Sequence, residues 1–151
     1  MNAVTVKDAF HVSDVKDALD SLQGAKYFAT IDLLSGYWQL GMTDRARERS
    51  AFCGRRGLYE FTRMPFGIAN APSTFCRLIH SVLHHLLYLI CLCYLDGIIV
   101  YVDTPEQLIE RLVTIFARLR AHGLKAKASK CFLCLYRLML LIVRRQRTLA
   151  F

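Results

Sequence analysis

The order of elements along this sequence (strand, helix, hairpin, helix, strand) predicts an α+β domain: an antiparallel sheet with helices packed on one face. Two observations carry the prediction. Residues 89–95 and 98–102 are β-branched and aromatic runs joined by Asp96-Gly97, a strong short-range hairpin signal. Helical segments flank that hairpin, one opened by Pro72 and one by Thr104-Pro105, with proline suited to the first helical position. The 151 residues give room for one ordinary domain with a real core.

The elements follow in chain order. Residues 12–22 place Val12, Val15, Ala18, Leu19 and Leu22 at helical spacing, with Ser13 as N-cap and Gly24 past the end. Residues 26–31 read as a strand running into Asp32. Residues 33–41 are irregular, broken by Gly36 and Gly41, and residues 45–49 form a charged turn or short helix. Residues 50–53 and 58–63 read as strands around a turn at 54–57. Met64-Pro65-Phe66-Gly67 interrupts the pattern before a helix from Pro72 to about residue 87. The helix from Thr104 and Pro105 runs to about Ala121 and is ended by Gly123. Residues 125–135 are expected to return as a strand, and beyond Tyr136 the chain is apolar and then basic with no clear period.

Composition narrows the function classes. A 54% apolar fraction and a mean hydropathy of +0.29 exclude a disordered chain and point to surfaces that another segment covers. A formal net charge of +8, from 20 Lys+Arg against 12 Asp+Glu, suits a phosphate-bearing partner or is simply basic composition. The six cysteines, with a polar and mixed N-terminus, read as reduced thiols in a cytosolic or nuclear, non-secreted setting. Cys131-x-x-Cys134 has no second pair at zinc spacing and reads as two thiols on a mostly buried segment. Residues 86–102 are nearly all apolar, but Asp96 near the middle would cost about 2.5–3.5 kcal/mol in a bilayer and Asp-Gly divides the run into strand lengths. A membrane span is therefore the weaker reading.

Few residues suit acid–base or nucleophilic chemistry. His80 and His84 stand one helical turn apart without the glutamate of a zinc-protease helix, and with His85 they read as solvated helix histidines. Two acidic residues stand out by context. Asp32 ends the apolar run Tyr27-Phe-Ala-Thr-Ile, and Asp96 sits at a hairpin tip between Tyr94-Leu95 and Ile98-Ile99. A carboxylate in such surroundings needs a partner or a cation, unless it serves only as a turn residue.

Four segments carry a family resemblance. Phe28-Ala-Thr-Ile-Asp32-Leu33-Leu-Ser-Gly-Tyr37-Trp-Gln-Leu resembles the first palm motif of reverse transcriptases from gypsy-type long-terminal-repeat retrotransposons. Leu58-Tyr-Glu-Phe-Thr-Arg-Met-Pro65-Phe66-Gly67-Ile-Ala-Asn-Ala-Pro72-Ser-Thr-Phe resembles the second. Tyr94-Leu95-Asp96-Gly97 resembles the Tyr-x-Asp-Asp motif with its last carboxylate replaced, and His122-Gly-Leu-Lys-Ala-Lys-Ala-Ser-Lys130-Cys resembles the motif that follows. The resemblance runs from about Asp14 to Cys131.

It implies a palm that copies RNA or DNA template-primer into DNA from deoxynucleoside triphosphates, by phosphoryl transfer with two Mg²⁺ ions. By this resemblance Asp32 and Asp96 are metal ligands and catalytic, and Lys130 is the general acid toward pyrophosphate. Leu33, Tyr37, Pro65, Phe66 and Gly67 line the nucleotide pocket, with Tyr37 excluding a 2′-hydroxyl. The implied organisation is a remnant of the fingers–palm connection at 1–13, the palm at 14–135 and a divergent apolar–basic tail at 136–151. Fingers, thumb and ribonuclease H fall outside this span.

The departures are equally specific. Gly97 stands where the family has a third carboxylate, so the expectation is an intact hairpin with weakened metal binding and no polymerase activity in the isolated chain. The family's Phe-Leu-Gly-His segment is replaced by Leu138-Met-Leu-Leu-Ile-Val-Arg-Arg-Gln-Arg. A non-catalytic nucleic-acid-binding remnant and a small membrane-associated protein are the competing readings.

Overall fold

The computed structural model describes residues 2–8, 10, 22–94 and 97–135. The expected helix at 12–22, apart from Leu22, the Leu95-Asp96 turn and the tail from Tyr136 lie outside these described residues.

Among the described residues, six strands and three α-helices follow one another along the chain. They are β1 (Tyr27–Asp32), α1 (Asp44–Arg49), β2 (Phe52–Gly54), β3 (Gly57–Tyr59), α2 (Ala71–Val82), β4 (Cys91–Tyr94), β5 (Gly97–Val102), α3 (Pro105–Ala121) and β6 (Phe132–Leu135). The main sheet has the order β4-β5-β1-β6, antiparallel throughout. β2 and β3 form a separate hairpin.

Strand alternation sorts side chains onto two faces. Ala29, Ile31 and Leu33 share one face with Ile98, Val100 and Val102 of β5 and Cys91 and Cys93 of β4. This is the face both long helices cover, α2 through Phe75, Ile79 and Val82 and α3 through Leu108, Ile115 and Leu119. Each fully buried side chain of this size contributes about 1.5–3 kcal/mol. The opposite face carries Phe28, Thr30 and Asp32, with Leu22, Leu92 and Ile99 forming a second, smaller cluster beside them. The α+β architecture with helices on one face is the one the sequence predicts.

Local chemistry sets the helix ends. Thr104 Oγ1 accepts from the Gln107 amide at 3.4 Å and Pro105 occupies the first turn. α2 stops at Val82 and falls short of residue 87. The chain then doubles back: the Leu86 amide donates to Leu83 O, and Leu86 O accepts from the Ile90 and Cys91 amides on the way into β4. His84 and His85 therefore lie beyond the helix, and His80 is half-buried with its ring edge-on to Phe10 at 5.3 Å. They are not three solvated histidines on one helix.

Three further expectations are corrected. The strand expected at 58–63 pairs with β2 only over Gly57–Tyr59, because the Phe61 amide turns to Ser50 Oγ at 3.0 Å, and Arg63 bridges Gly41 instead. The strand expected at 125–135 is broken by a 3-10 turn at Ala128–Lys130, and β6 pairs with β1 through a bulge. Cys134 is exposed and Cys131 half-buried, so the pair does not sit on a mostly buried segment. Residues 86–102 hold β4 and β5, and no helix among the described residues is long and apolar enough to cross a membrane.

Two predictions follow from packing. A Cβ at Gly36 would lie 2.7 Å from Phe75 Cζ, so Gly36→Ala is expected to cost about 1–3 kcal/mol in urea unfolding. Adding Phe75→Leu opens space, and the double variant should lose less than the sum of the two. Burial lowers the His80 pKa below its ordinary 6.5. The unfolded chain then binds the proton more readily than the folded one. This stability contribution is whole above pH 6.5 and declines as pH falls from there toward the depressed folded value. The urea midpoint of His80→Gln should be flatter across that window than that of the parent.

Candidate active site

Asp32 and the returning segment at 125–130 meet at the C-terminal end of β1. Asp32 is the last residue of β1, on the face away from the helices, and it is only 7% exposed. Its direct partner across the sheet is Gly97, the first residue of β5. Residues paired this way stand about 4.5–5.5 Å apart with side chains on the same face. A side chain at 97 would therefore project beside the Asp32 carboxylate, and glycine puts nothing there. Asp96 lies outside the described residues.

The returning segment docks on the same strand end. The Lys127 amide donates to Asp32 O at 2.8 Å, the Leu34 amide donates to Lys125 O at 2.9 Å, and Leu33 bridges Ala126. This places the Ala128–Lys130 turn against β1, with Lys130 exposed on it. Leu33 continues the alternation of Ala29 and Ile31, so its side chain is buried in the helix-covered core at 1% exposure. That burial turns its side chain to the face opposite Asp32.

Tyr37 follows in a 3-10 turn at Gly36–Gln39, entered through Ser35 in the left-handed region at φ 45°. The Tyr37 ring lies 4.9 Å from Phe66 and 5.7 Å from Phe75, which brings the first and second motifs together. Gly36 allows this, since Phe75 fills the space a Cβ would take. Pro65 is buried, Phe66 is 61% exposed, and Gly67 turns the chain at φ +91°.

Two clamps escaped the sequence reading. Gln39 Nε2 donates to Leu34 O at 2.7 Å and to Lys125 O at 3.0 Å, and its Oε1 accepts from the Lys125 amide at 2.7 Å. One side chain thus ties the first motif to the last. Asn2 Nδ2 donates to Gly67 O at 2.6 Å while its Oδ1 accepts from the Ala69 amide at 3.0 Å. Asn70 binds Val6 O and the Asp8 amide, and Asp8 pairs with Arg77 at 2.7 Å. These contacts hold the loop carrying Phe66 and Gly67. Gln39 was visible as part of a quoted motif, whereas Asn2 and Asp8 had no pattern to mark them.

Mg²⁺ takes carboxylate and other oxygens in near-octahedral geometry. Asp32 suits such an ion by residue type and position. No group of three metal-ligating side chains occurs among the described residues, and the pairing position opposite Asp32 offers no side chain. Asp96, the other carboxylate the resemblance names, lies outside the described residues.

Comparison with known proteins agrees with the geometry. The chain is 35% identical over 131 residues to the retrovirus-related Pol polyprotein from transposon 297 of Drosophila melanogaster, covering 87% of this chain and 12% of that protein. It is 32% identical over 130 residues to the corresponding polyprotein from transposon gypsy of the same species, covering 86% and 13%. This chain spans about an eighth of either relative. A foamy viral protease-reverse transcriptase solved in complex with double-stranded DNA superposes with a TM-score of 0.82 at 24% identity, over 93% of this chain and 24% of that one, which shows the shared fold. The family described as reverse transcriptase (RNA-dependent DNA polymerase) matches residues 1–150, a family that uses divalent metal ions, and the chain belongs to it.

Proposed function

We propose that the chain is a reverse transcriptase palm that keeps its template-primer and nucleotide contacts but is crippled in catalysis at position 97. The observation that carries this is the direct pairing of Asp32 with Gly97. The register survives, and the side chain that would share the cation load with Asp32 does not.

The remaining residues keep the roles their positions support. Tyr37 and Phe66 form one wall of a nucleotide pocket, since their rings touch where the two motifs meet. Pro65 and Gly67 shape the loop that presents Phe66. Asp32 and Asp96 are the residues that would hold Mg²⁺. Lys130, exposed on a turn docked against β1, would protonate a leaving pyrophosphate. RNA or DNA template-primer and deoxynucleoside triphosphate are the substrates of this reading. The excess of basic residues supports nucleic-acid binding even where turnover is lost.

Primer extension on a poly(rA) template tests the proposal, with the palm joined to fingers and thumb from a related element. The Gly97→Asp form should extend on the order of 10²–10⁴-fold faster than the Gly97 form, the size of losing a ligand worth several kcal/mol at the transition state. Comparable extension by the Gly97 form would show that the site is not crippled there. Extension by neither would place further damage elsewhere.

A further inference from the structure

The β2–β3 hairpin carries a row of aromatic rings that neither the core nor the candidate active site uses. Phe52 and Tyr59 are direct cross-strand partners, with ring centroids 5.8 Å apart and planes 27° from parallel. Phe61, two residues on from Tyr59, lies 5.1 Å from Phe52, and Trp38 lies 5.9 Å from Phe61. The four rings form one continuous row from the hairpin back to the turn that holds Tyr37. Tyr59 and Phe52 are each 46% exposed and Trp38 is 43% exposed.

The row is built into the backbone. A Cβ at Gly54 would lie 2.8 Å from Tyr59 Cε2, so the Tyr59 ring lies across a strand position that only glycine leaves clear. The hairpin also grows from the segments that frame the nucleotide pocket. The Met42 amide donates to Thr62 O, the Met64 amide donates to Leu40 O, and Gly41 bridges Arg63.

The surrounding charge identifies the occupant. Residues 44–63 hold six arginines against three carboxylates, Asp44, Glu48 and Glu60. Arg47 pairs with both Asp44 and Glu60, and the segment keeps a net charge of +3, six arginines less three carboxylates. Arg45, Arg49, Arg55 and Arg56 are exposed, and none of them enters an ion pair among the described residues. Exposed aromatic faces on a segment rich in unpaired guanidinium groups fit a polyanion whose bases are free to stack. A duplex hides its base faces, and an apolar protein segment has no use for the arginines.

We propose that this hairpin face is a stacking platform for single-stranded nucleic acid, leading the strand along Trp38 toward the Tyr37 pocket. The inference deepens the reading of the chain as a nucleic-acid-binding palm by naming the strand form and the surface.

The test uses this chain and a short fluorescein-labelled oligo(dT), with a duplex of equal length beside it. Trp38 is the sole tryptophan, so its quenching reports occupancy of the row. The expected result is tighter binding to the single strand, with Trp38 quenched. Phe52→Ala with Tyr59→Ala should weaken that binding about tenfold or more while sparing the duplex. Arg55→Gln with Arg56→Gln should reduce the slope of log affinity against log salt by about 1.4, and it decides the matter if the aromatic variant fails to fold by circular dichroism. Unchanged single-strand affinity in a folded variant overturns the proposal, as does equal loss of both strand forms. A dimer in sedimentation that the aromatic substitutions abolish also overturns it, because the occupant is then a second copy. Duplex binding that survives alone leaves the palm reading standing without the platform, whereas binding of neither form removes both.

Discussion

The antiparallel register between β1 and β5 is the constraint on which the rest depends. It pairs Ala29 with Val100 and Ile31 with Ile98 on one face, and Thr30 with Ile99 and Asp32 with Gly97 on the other. A slip of one residue would exchange those faces and send Asp32 into the helix-covered core. Burial of the apolar set therefore fixes where the carboxylate emerges. The same register decides what stands beside it, which in this chain is a residue without a side chain.

The loops around that strand end are held by side chains bonding to main chain, and the helix-covered core does little of this work. Gln39 binds Leu34 and Lys125 together, and Asn2 grips both ends of the Gly67–Ala69 turn. Such bonds contribute roughly 1 kcal/mol each to stability, but they cost more when one partner is removed and the other is left dry. They also explain how Tyr37 and Phe66, from motifs almost thirty residues apart, come within ring contact. The hairpin that bears the aromatic row extends from this same frame, so the two surfaces are mechanically continuous.

Much of this was legible in the sequence because it rests on local signals. An apolar run ending in Asp32 marked β1, a β-branched and aromatic run marked β5, Asp96-Gly97 marked the hairpin, and Thr104-Pro105 opened α3. The motifs located Asp32, Tyr37, Phe66 and Lys130. Legibility failed where tertiary contacts override local pattern. α2 ends early because the chain must turn back into β4. The segment before β6 leaves the ladder because Lys127 is bonded to Asp32. The motif alone did not show that strand alternation sends the Leu33 side chain inward. Asn2 and Asp8 could not be found at all, since a partner more than sixty residues away leaves no mark on local spacing.

What position 97 does to cation binding decides whether this site is crippled. A carboxylate introduced there would meet Asp32 at close range, and two such charges are tolerated best with a cation between them. The decisive measurement is a Mn²⁺ titration followed by electron paramagnetic resonance, comparing the parent chain, Gly97→Asp, and Gly97→Asp with Asp32→Asn. The account predicts that Gly97→Asp gains at least about tenfold in Mn²⁺ affinity, the worth of roughly 1.4 kcal/mol, and that adding Asp32→Asn removes the gain. Equal Mn²⁺ affinity in the parent and Gly97→Asp chains would contradict it.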